Sequence, residues 1–253
     1  MRQLEASLGQ ALFERKAKQL VLTAAGRQAL DYAETIFKAG DELLDVMHRG
    51  AAGTRQVLRV GAVATLSRNF QLDFLRPMLN RPDVSIVLRS GGLRELLALF
   101  ATHAVDVVLA NTPVPRDAES PLHSHLLRKQ PVSLVGVKAL RPRRFAFPES
   151  LRDMPVLVPS TESNVRAAFD LLMDKAGVRP RIAAEVDDMA MLRLLARVGD
   201  GAALVPTVVV QDELREGVLS VWHTFRDVHE AFYAITPQRQ FPNALVRELV
   251  KGA

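Results

Sequence analysis

Apolar residues recur along the first fifty positions with a helical period, interrupted by one short extended run. Leucines at steps of four predict a helix over residues 1–12. The polar, basic stretch 15–19 leads into the apolar run 20–22, which is typical of the second strand of a two-stranded wing. The hydroxyl of Thr23 is able to cap the helix that follows, and we expect this helix to extend to about residue 48.

The second helix carries an apolar seam whose members are alternately three and four positions apart. The seam comprises Leu30, Ala33, Phe37, Gly40, Leu44 and Met47. A heptad seam needs a partner helix along its length, although the same spacing also suits a helix packed on its own domain. We favour dimerisation, because this helix directly follows a basic segment.

A break rich in small residues at 50–54 separates the long helix from two series of alternating strands and helices. The first series predicts strands at 57–63, 84–89 and 105–110 and helices at 67–80 and 93–102. A crossing strand at 131–137 and a loop at 141–148 follow. The second series predicts strands at 156–158, 182–186 and 202–205 and helices at 164–176, 189–198 and 208–216. Strands at 218–222 and 231–235 and a helix at 242–251 close the chain.

This alternation predicts an α/β fold, because strand–helix–strand units form parallel sheets with helices on their faces. Two such halves, joined near 132–137, predict a cleft between two subdomains. The open sheets of α/β proteins bind ligands outside the carboxyl ends of their strands. The sequence therefore indicates where a binding site should lie before it indicates what binds there.

Composition narrows the class of protein. The chain has 253 residues, of which 48% are hydrophobic and 24% charged, and it has no cysteine. The absence of cysteine excludes disulfides, thiolate metal sites and cysteine nucleophiles. No run approaches the ~18 apolar residues of a membrane span, and the N-terminus lacks the apolar core of a signal peptide. We therefore expect a cytoplasmic protein with no membrane partner.

The net charge of +5 is unevenly distributed. Residues 1–30 are basic, whereas residues 31–45 are acidic. A basic N-terminal segment followed by a helix of mixed charge is typical of a region that binds a polyanion, joined to a solvent-exposed helix.

Motifs of catalysis are not found in the sequence. It contains no G-x-S-x-G elbow, no Walker loop and no H-E-x-x-H pair. His123 and His125 have a spacing that suits a metal on one strand face, but we interpret them as an ordinary surface pair. The adjacent Asp187 and Asp188 are interpreted as helix-capping residues. We expect no enzyme activity, no cofactor and no metal site.

The first 26 residues carry a specific signature. Gln3-Leu4-Glu5, Leu8-Gly9 and Leu12-Phe13-Glu14-Arg15 precede Leu20 and Leu22-Thr23-Ala24-Ala25-Gly26. This segment resembles the end of the recognition helix, the wing and the linker-helix start of LysR-type transcription regulators. The remainder resembles their sensing module, which is akin to periplasmic binding proteins. Head and linker are most similar to the branch that activates sodium/proton antiporter genes, which implies ion or pH sensing.

The resemblance implies a partial winged helix-turn-helix at 1–23, a linker and dimerisation helix at 24–50, and an effector-binding domain at 54–253. Subdomain I would comprise about 56–131 and 236–253, and subdomain II about 132–235. A complete head has ~40 further residues, including most of the recognition helix. We therefore expect this chain alone to bind promoter DNA weakly or not at all. The family also implies a homodimer that assembles into a homotetramer.

Within the resemblance, four cations are candidate DNA contacts: Arg2, Arg15, Lys16 and Lys18. They would contact phosphates, which give affinity and salt dependence without sequence information. Leu4, Leu8, Leu12 and Phe13 would pack the small core of the head, and Gly9 would permit a turn out of the helix.

Effectors of the family lie in the cleft, held by loops that follow strands. In this sequence those loops supply Thr65, Ser67, Asn111, Ser160, Thr161 and Gly201. Their hydroxyl, amide and backbone groups suit a small polar or anionic effector, while Glu162 leaves room for a cation. Two alternatives stay open. One is a sensor that dimerises with full-length regulators without binding DNA, and the other is a solute-binding protein.

Overall fold

The computed structural model describes residues 2–16, 19–30, 32–33, 36–37, 40, 56–115, 122–199, 201–238 and 243–252. The head begins with helix α1 (Arg2–Leu8). The antiparallel hairpin of β1 (Phe13–Lys16) and β2 (Gln19–Leu22) follows, as the wing prediction requires. Residues 24–30 form the start of the next helix, here α2, and 32–33, 36–37 and 40 are also helical.

Helix α1 ends four residues earlier than the predicted helix over 1–12. Gly9 adopts a φ of 68°, a left-handed conformation that ends the helix. Glu5 Oε1 then accepts the backbone N–H groups of Leu12 and Phe13 at 2.8 and 3.3 Å. Leu12 is buried, but Leu4 and Leu8 are exposed, contrary to the prediction that both pack in a head core.

Eight strands form the main sheet. They are β3 (Gln56–Val63), β4 (Val84–Gly91), β5 (Val107–Ala110), β6 (Leu122–Val137), β7 (Pro155–Pro159), β8 (Arg181–Val186), β9 (Ala202–Pro206) and β10 (Leu219–Pro237). Their order is β4-β3-β5-β10-β6-β9-β7-β8. Strands β3, β4 and β5 are parallel to one another, as are β7, β8 and β9. We call the half with β3–β5 subdomain I and the half with β7–β9 subdomain II.

The antiparallel strands β6 and β10 pass through both subdomains and differ most from prediction. β6 begins at Leu122, nine residues before the predicted strand. The two strands predicted at 218–222 and 231–235 are one irregular strand, whose pairing with β6 shifts register between Thr224 and His229. The charged residues of this segment interrupt the apolar alternation, although Phe225 and Val228 beside them are buried.

Six helices of the described part of the chain flank the sheet. They are α3 (Arg68–Leu79), α4 (Leu93–Ala98), α5 (Asn164–Ala176), α6 (Met189–Val198), α7 (Gln211–Glu216) and α8 (Ala244–Gly252). The helix predicted at 208–216 is a 3-10 turn, Thr207–Val210, followed by α7. Strand β5 starts two residues later, and α4 ends four residues earlier, than predicted. Within the described part of the chain, no helix combines the length and apolarity needed to cross a bilayer.

The largest apolar cluster spans both subdomains, and a second cluster lies wholly in subdomain II around Phe169 and Trp222. In the first cluster, the Phe70 ring of α3 stacks on Phe232 of β10 with centroids 4.1 Å apart. This contact fixes the start of α3 against a crossing strand, and with it the loop that leads out of β3.

Candidate functional site

A cavity of about 180 Å³ lies between the subdomains, where the carboxyl ends of β3 and β5 face those of β7 and β8. Subdomain I contributes Thr65 after β3, and Asn111 and Thr112 after β5. Subdomain II contributes Pro159, Ser160, Glu162, Ser163, Asn164, Asp187 and Met189, which follow β7 and β8. The carboxyl ends of parallel strands are where open α/β sheets bind ligands, so the lining comes from the elements expected for a binding cleft.

On the side of subdomain I, Asn111 connects the cavity to a buried carboxyl group. Asn111 Nδ2 donates to Thr65 Oγ1 at 3.5 Å, and its side chain also hydrogen-bonds Glu230. Glu230 lies on β10 opposite Gln130 of β6 and is only 6% exposed. Burial raises its pKa to about 7, although the hydrogen bond with Asn111 acts in the opposite direction. A group that titrates near neutrality therefore lies directly behind the cavity, on a strand shared by both subdomains.

On the side of subdomain II, a network of ion pairs holds the loop that lines the cavity. Arg166 Nη1 donates to Glu185 Oε2 at 2.9 Å and to the Pro159 carbonyl at 3.3 Å, and Arg166 Nε pairs with Asp170 at 2.8 Å. The hydrogen bond from Arg166 lowers the pKa of Glu185. Glu185 Oε1 also accepts the backbone N–H of Thr161 at 3.3 Å. These contacts therefore fix the position of the loop after β7 that lines the cavity.

Two residues near the cleft serve as helix caps. Ser67 Oγ accepts the backbone N–H of Phe70 at 3.3 Å at the start of α3, and Ser67 is buried. Asp188 Oδ1 accepts the backbone N–H of Ala190 at 2.8 Å at the start of α6, which confirms its predicted capping role.

Three of the six predicted effector residues, Thr65, Asn111 and Ser160, line one cavity. Ser67 is engaged as a cap, and Thr161 lies beside the lining without being part of it. Gly201 precedes β9 at the opposite end of the sheet, where an added Cβ would overlap the carbonyl oxygen of Pro155. Its position is therefore one of close packing.

The sequence analysis did not identify Asn164 and Asp187 as lining residues. The available signal was their position, since each lies within a few residues after a strand. Asp187 was considered only as a capping residue. The adjacent Asp188 takes that role, which leaves the Asp187 side chain at the cavity.

The charge of the lining is negative. Glu162 and Asp187 are carboxylates, and the described lining contains no lysine, arginine or histidine. Neither carboxylate forms an ion pair with another described residue. The cavity therefore offers hydroxyls, amides and negative charge to a ligand.

A second polar network joins the subdomains outside the cavity. Arg193 of α6 donates from Nε to Glu213 Oε1 of α7 at 2.7 Å and from Nη1 to Asn69 Oδ1 of α3 at 3.3 Å. Asn69 Nδ2 in turn donates to the Val208 carbonyl at 3.0 Å. Because α3 packs on subdomain I and α6 on subdomain II, these contacts link the two across the cleft.

The candidate DNA contacts lie in the head. The described backbone places Arg2 at the start of α1, and Arg15 and Lys16 in β1, while Lys18 lies outside the described residues. Thr23 caps α2, because its Oγ1 accepts the Gly26 N–H at 2.9 Å while donating to the Ala11 carbonyl at 2.7 Å. The predicted cap is confirmed.

The described part of the apolar seam faces solvent. Leu30 is 46% exposed and Phe37 is 74% exposed, whereas Ala33 is half-buried. Leu44 and Met47 lie outside the described residues. Large apolar side chains at this spacing remain available to a partner helix.

Among the described residues, no cluster of three or more histidine, aspartate or glutamate side chains is arranged to hold a metal. His123 and His125 lie on the same face of β6 with ring centroids 6.3 Å apart.

Two α/β subdomains, joined by two crossing strands and enclosing a polar cavity, define a periplasmic-binding-protein-like ligand-binding module. Residues 51–251 match the LysR substrate binding domain family. The chain belongs to the LysR family of transcription regulators.

Regulators with similar sequences and solved structures with a similar fold support this family assignment. The chain is similar to the transcriptional activator protein NhaR of Escherichia coli K12, with 21% identity over 98% of this chain and 82% of NhaR. It is also similar to the regulator CbbR of Xanthobacter flavus, with 26% identity over 87% of this chain and 67% of CbbR. In fold it resembles full-length CbnR complexed with its target DNA, with a TM-score of 0.61, 23% identity and coverage of 100% of this chain and 87% of CbnR. A full-length OxyR from Pseudomonas aeruginosa gives a TM-score of 0.64 at 20% identity, covering 100% of this chain and 82% of OxyR.

Proposed function

We propose that the cleft between the subdomains binds a small polar effector and that binding changes the assembly of this regulator on promoter DNA. The observation that carries the proposal is the cavity lined from both sides, by Thr65 and Asn111 on one side and Ser160 on the other. A ligand touching both subdomains binds one of their arrangements better, and it shifts the equilibrium by that difference in affinity. The chain then acts by regulation in the cytoplasm and not by catalysis.

The lining supports an effector that is neutral and polar or positively charged. Glu162 and Asp187 repel an anion, and the described lining supplies no cationic side chain to offset them. Hydroxyl and amide groups from Thr65, Asn111 and Ser160 suit hydroxyl or ammonium donors on the ligand. Of the small polar, anionic and ionic effectors that the sequence allows, the anionic class fits this cavity least.

A thermal-shift screen tests the cleft. The chain is heated with a panel of polyols, amino acids, polyamines, dicarboxylates and alkali cations. A ligand at about 100 times its Kd stabilises the native state by about 2.7 kcal/mol. In a chain of this length that raises the Tm by roughly 5–10 °C. We expect the stabilising compounds to be uncharged or cationic.

A cavity-filling variant locates the binding. Ser160→Tyr places a ring in the cavity, and Ser90→Tyr makes the same change on the exposed face of β4. The stabilising ligand should lose its effect on the first variant and keep it on the second. An unchanged shift in Ser160→Tyr contradicts the proposal, as does a preference for dicarboxylates.

We also propose that Arg15 and Lys16 of the wing contact DNA phosphates. Because we expect the affinity of this chain for DNA to be weak, fluorescence anisotropy with a duplex from upstream of its own gene is measured over a series of low salt concentrations, where phosphate contacts contribute most. Each lost phosphate contact reduces the slope of log K against log salt by about 0.9. The double change Arg15→Gln, Lys16→Gln should therefore reduce it by about 2 per protomer. A double change to glutamine of exposed cations in subdomain II, Lys175 and Arg179, is the control and should leave the slope unchanged.

A further inference from the structure

A larger cavity, of about 420 Å³, lies in subdomain I between α8 and the paired ends of β6 and β10. Asp106, which lines it, directly precedes β5, whereas Asn111, which lines the cleft, directly follows β5. The two positions are about 16 Å apart along an extended strand. The larger cavity therefore opens at the opposite edge of the sheet and is separate from the cleft.

One wall is formed by the sheet. His123 pairs with Thr236 across the β6–β10 ladder, and His125 lies two residues further along the same face. His125 Nε2 lies 3.1 Å from Thr236 Oγ1. Burial, and then the neighbouring His123, lower the pKa of His125, which favours its neutral, hydrogen-bonding form. Pro237 adds an apolar surface beside them.

The facing wall is one side of α8. Val246 and Val250 are four residues apart, as are Arg247 and Lys251, so an apolar stripe runs beside a cationic one. The valines are buried or half-buried, whereas Arg247 and Lys251 are exposed. Among the described residues, neither cation forms an ion pair. Asp106, whose Oδ2 accepts the backbone N–H of Arg59 at 2.8 Å, adds one negative charge to this lining against the two cations.

We propose that this cavity is a second ligand site, for a small carboxylate with an apolar body such as a medium-chain alkanoate. The carboxylate lies between Arg247 and Lys251 and accepts a hydrogen bond from an imidazole of the β6 pair. The hydrocarbon lies along Val246, Val250 and Pro237. A volume of about 420 Å³ is in the range of small-molecule sites, and an apolar lining with a few charged groups is their usual composition.

Isothermal titration calorimetry of the full chain with hexanoate, octanoate and octan-1-ol tests both halves of the proposal. Each added methylene should lower the Kd about fourfold, so octanoate should bind about 16-fold more tightly than hexanoate. Octan-1-ol lacks the charge and should bind at least roughly tenfold more weakly than octanoate. The absence of octanoate binding at about 1 mM, or equal binding of the alcohol, overturns the proposal.

Variants then locate the site. Arg247→Gln with Lys251→Gln alters only exposed side chains and should weaken octanoate binding roughly tenfold or more, with octan-1-ol changed by less than about twofold. Lys175→Gln with Arg179→Gln removes the same charge from subdomain II and should leave binding unchanged. Ser160→Tyr, which fills the cleft, should also leave it unchanged. Octanoate affinity that survives the α8 change, or that is lost in Ser160→Tyr, contradicts the proposal.

Discussion

Replacing Glu230 by glutamine should remove a large part of the pH dependence of stability near neutrality. Glu230 is 6% exposed, and burial raises its pKa from the usual 4.5 to about 7. Between these two values the folded state binds the proton that the unfolded state releases. Stability is therefore highest at acidic pH, falls as the pH rises from about 4.5 to 7, and stays at its reduced level above that.

The difference between the two pKa values corresponds to about 3 kcal/mol in total. About 2 kcal/mol of this loss should fall between pH 5.5 and pH 8. Glutamine has the same shape, does not titrate and retains an oxygen and an amide for Asn111. Glu230→Gln should therefore gain about 2 kcal/mol of unfolding free energy relative to the parent chain when the pH is raised from 5.5 to 8.

Urea unfolding at the two pH values measures the effect. Trp222 is the only tryptophan and is buried in subdomain II, so its fluorescence reports unfolding. Glu216→Gln, at an exposed carboxylate at the end of α7, is the matched control and should follow the parent chain. If Glu230→Gln and the parent lost the same free energy between pH 5.5 and 8, Glu230 would not be the titrating group and the reasoning would fail.

Three further changes test other contacts. Arg193→Ala leaves the buried Glu213 carboxylate without its 2.7 Å partner. We expect urea unfolding to show a free energy of unfolding lower by about 2 kcal/mol, and the additional change Glu213→Gln should recover part of it. Gly136→Ala puts a methyl group against the Trp222 indole and should lower the free energy of unfolding by about 1–3 kcal/mol. The tryptophan emission of the folded state should also change. Phe37→Ser in the exposed seam should weaken dimerisation roughly tenfold or more in sedimentation equilibrium, whereas Leu171→Ser, at an exposed leucine of α5, should not.

The order of elements was predictable because apolar period and glycine position are local signals. The wing, the Thr23 cap and the two β/α series follow from residues within a few positions of one another. The continuity of strand β10 could not be predicted, because the segment between Thr224 and His229 has irregular pairing and the paired residues on either side depend on β6, roughly ninety residues earlier. A local pattern carries no information about that partner.

The same distinction applies to the cleft. Thr65, Asn111 and Ser160 could be predicted because each follows a strand in sequence, and open α/β sheets bind ligands at the carboxyl ends of their strands. Ser67 also follows a strand, but its hydroxyl accepts the hydrogen bond that caps α3. Glu230 could not be found, because an isolated glutamate in an irregular segment looks like a surface residue until burial is known.

The proposed effector site lies beside the crossing strands that connect the two subdomains. The pairing of β10 with β6 shifts register between Thr224 and His229, so this segment lacks a continuous ladder, as in a bulge that locally bends a strand. Glu230 follows the irregular segment directly and hydrogen-bonds Asn111 in the lining. A ligand that hydrogen-bonds Asn111 competes with Glu230 for the same amide. On the proposed function, a ligand in the cleft therefore acts beside the irregular segment that connects the subdomains, whereas the Arg193 contacts link them at a different place.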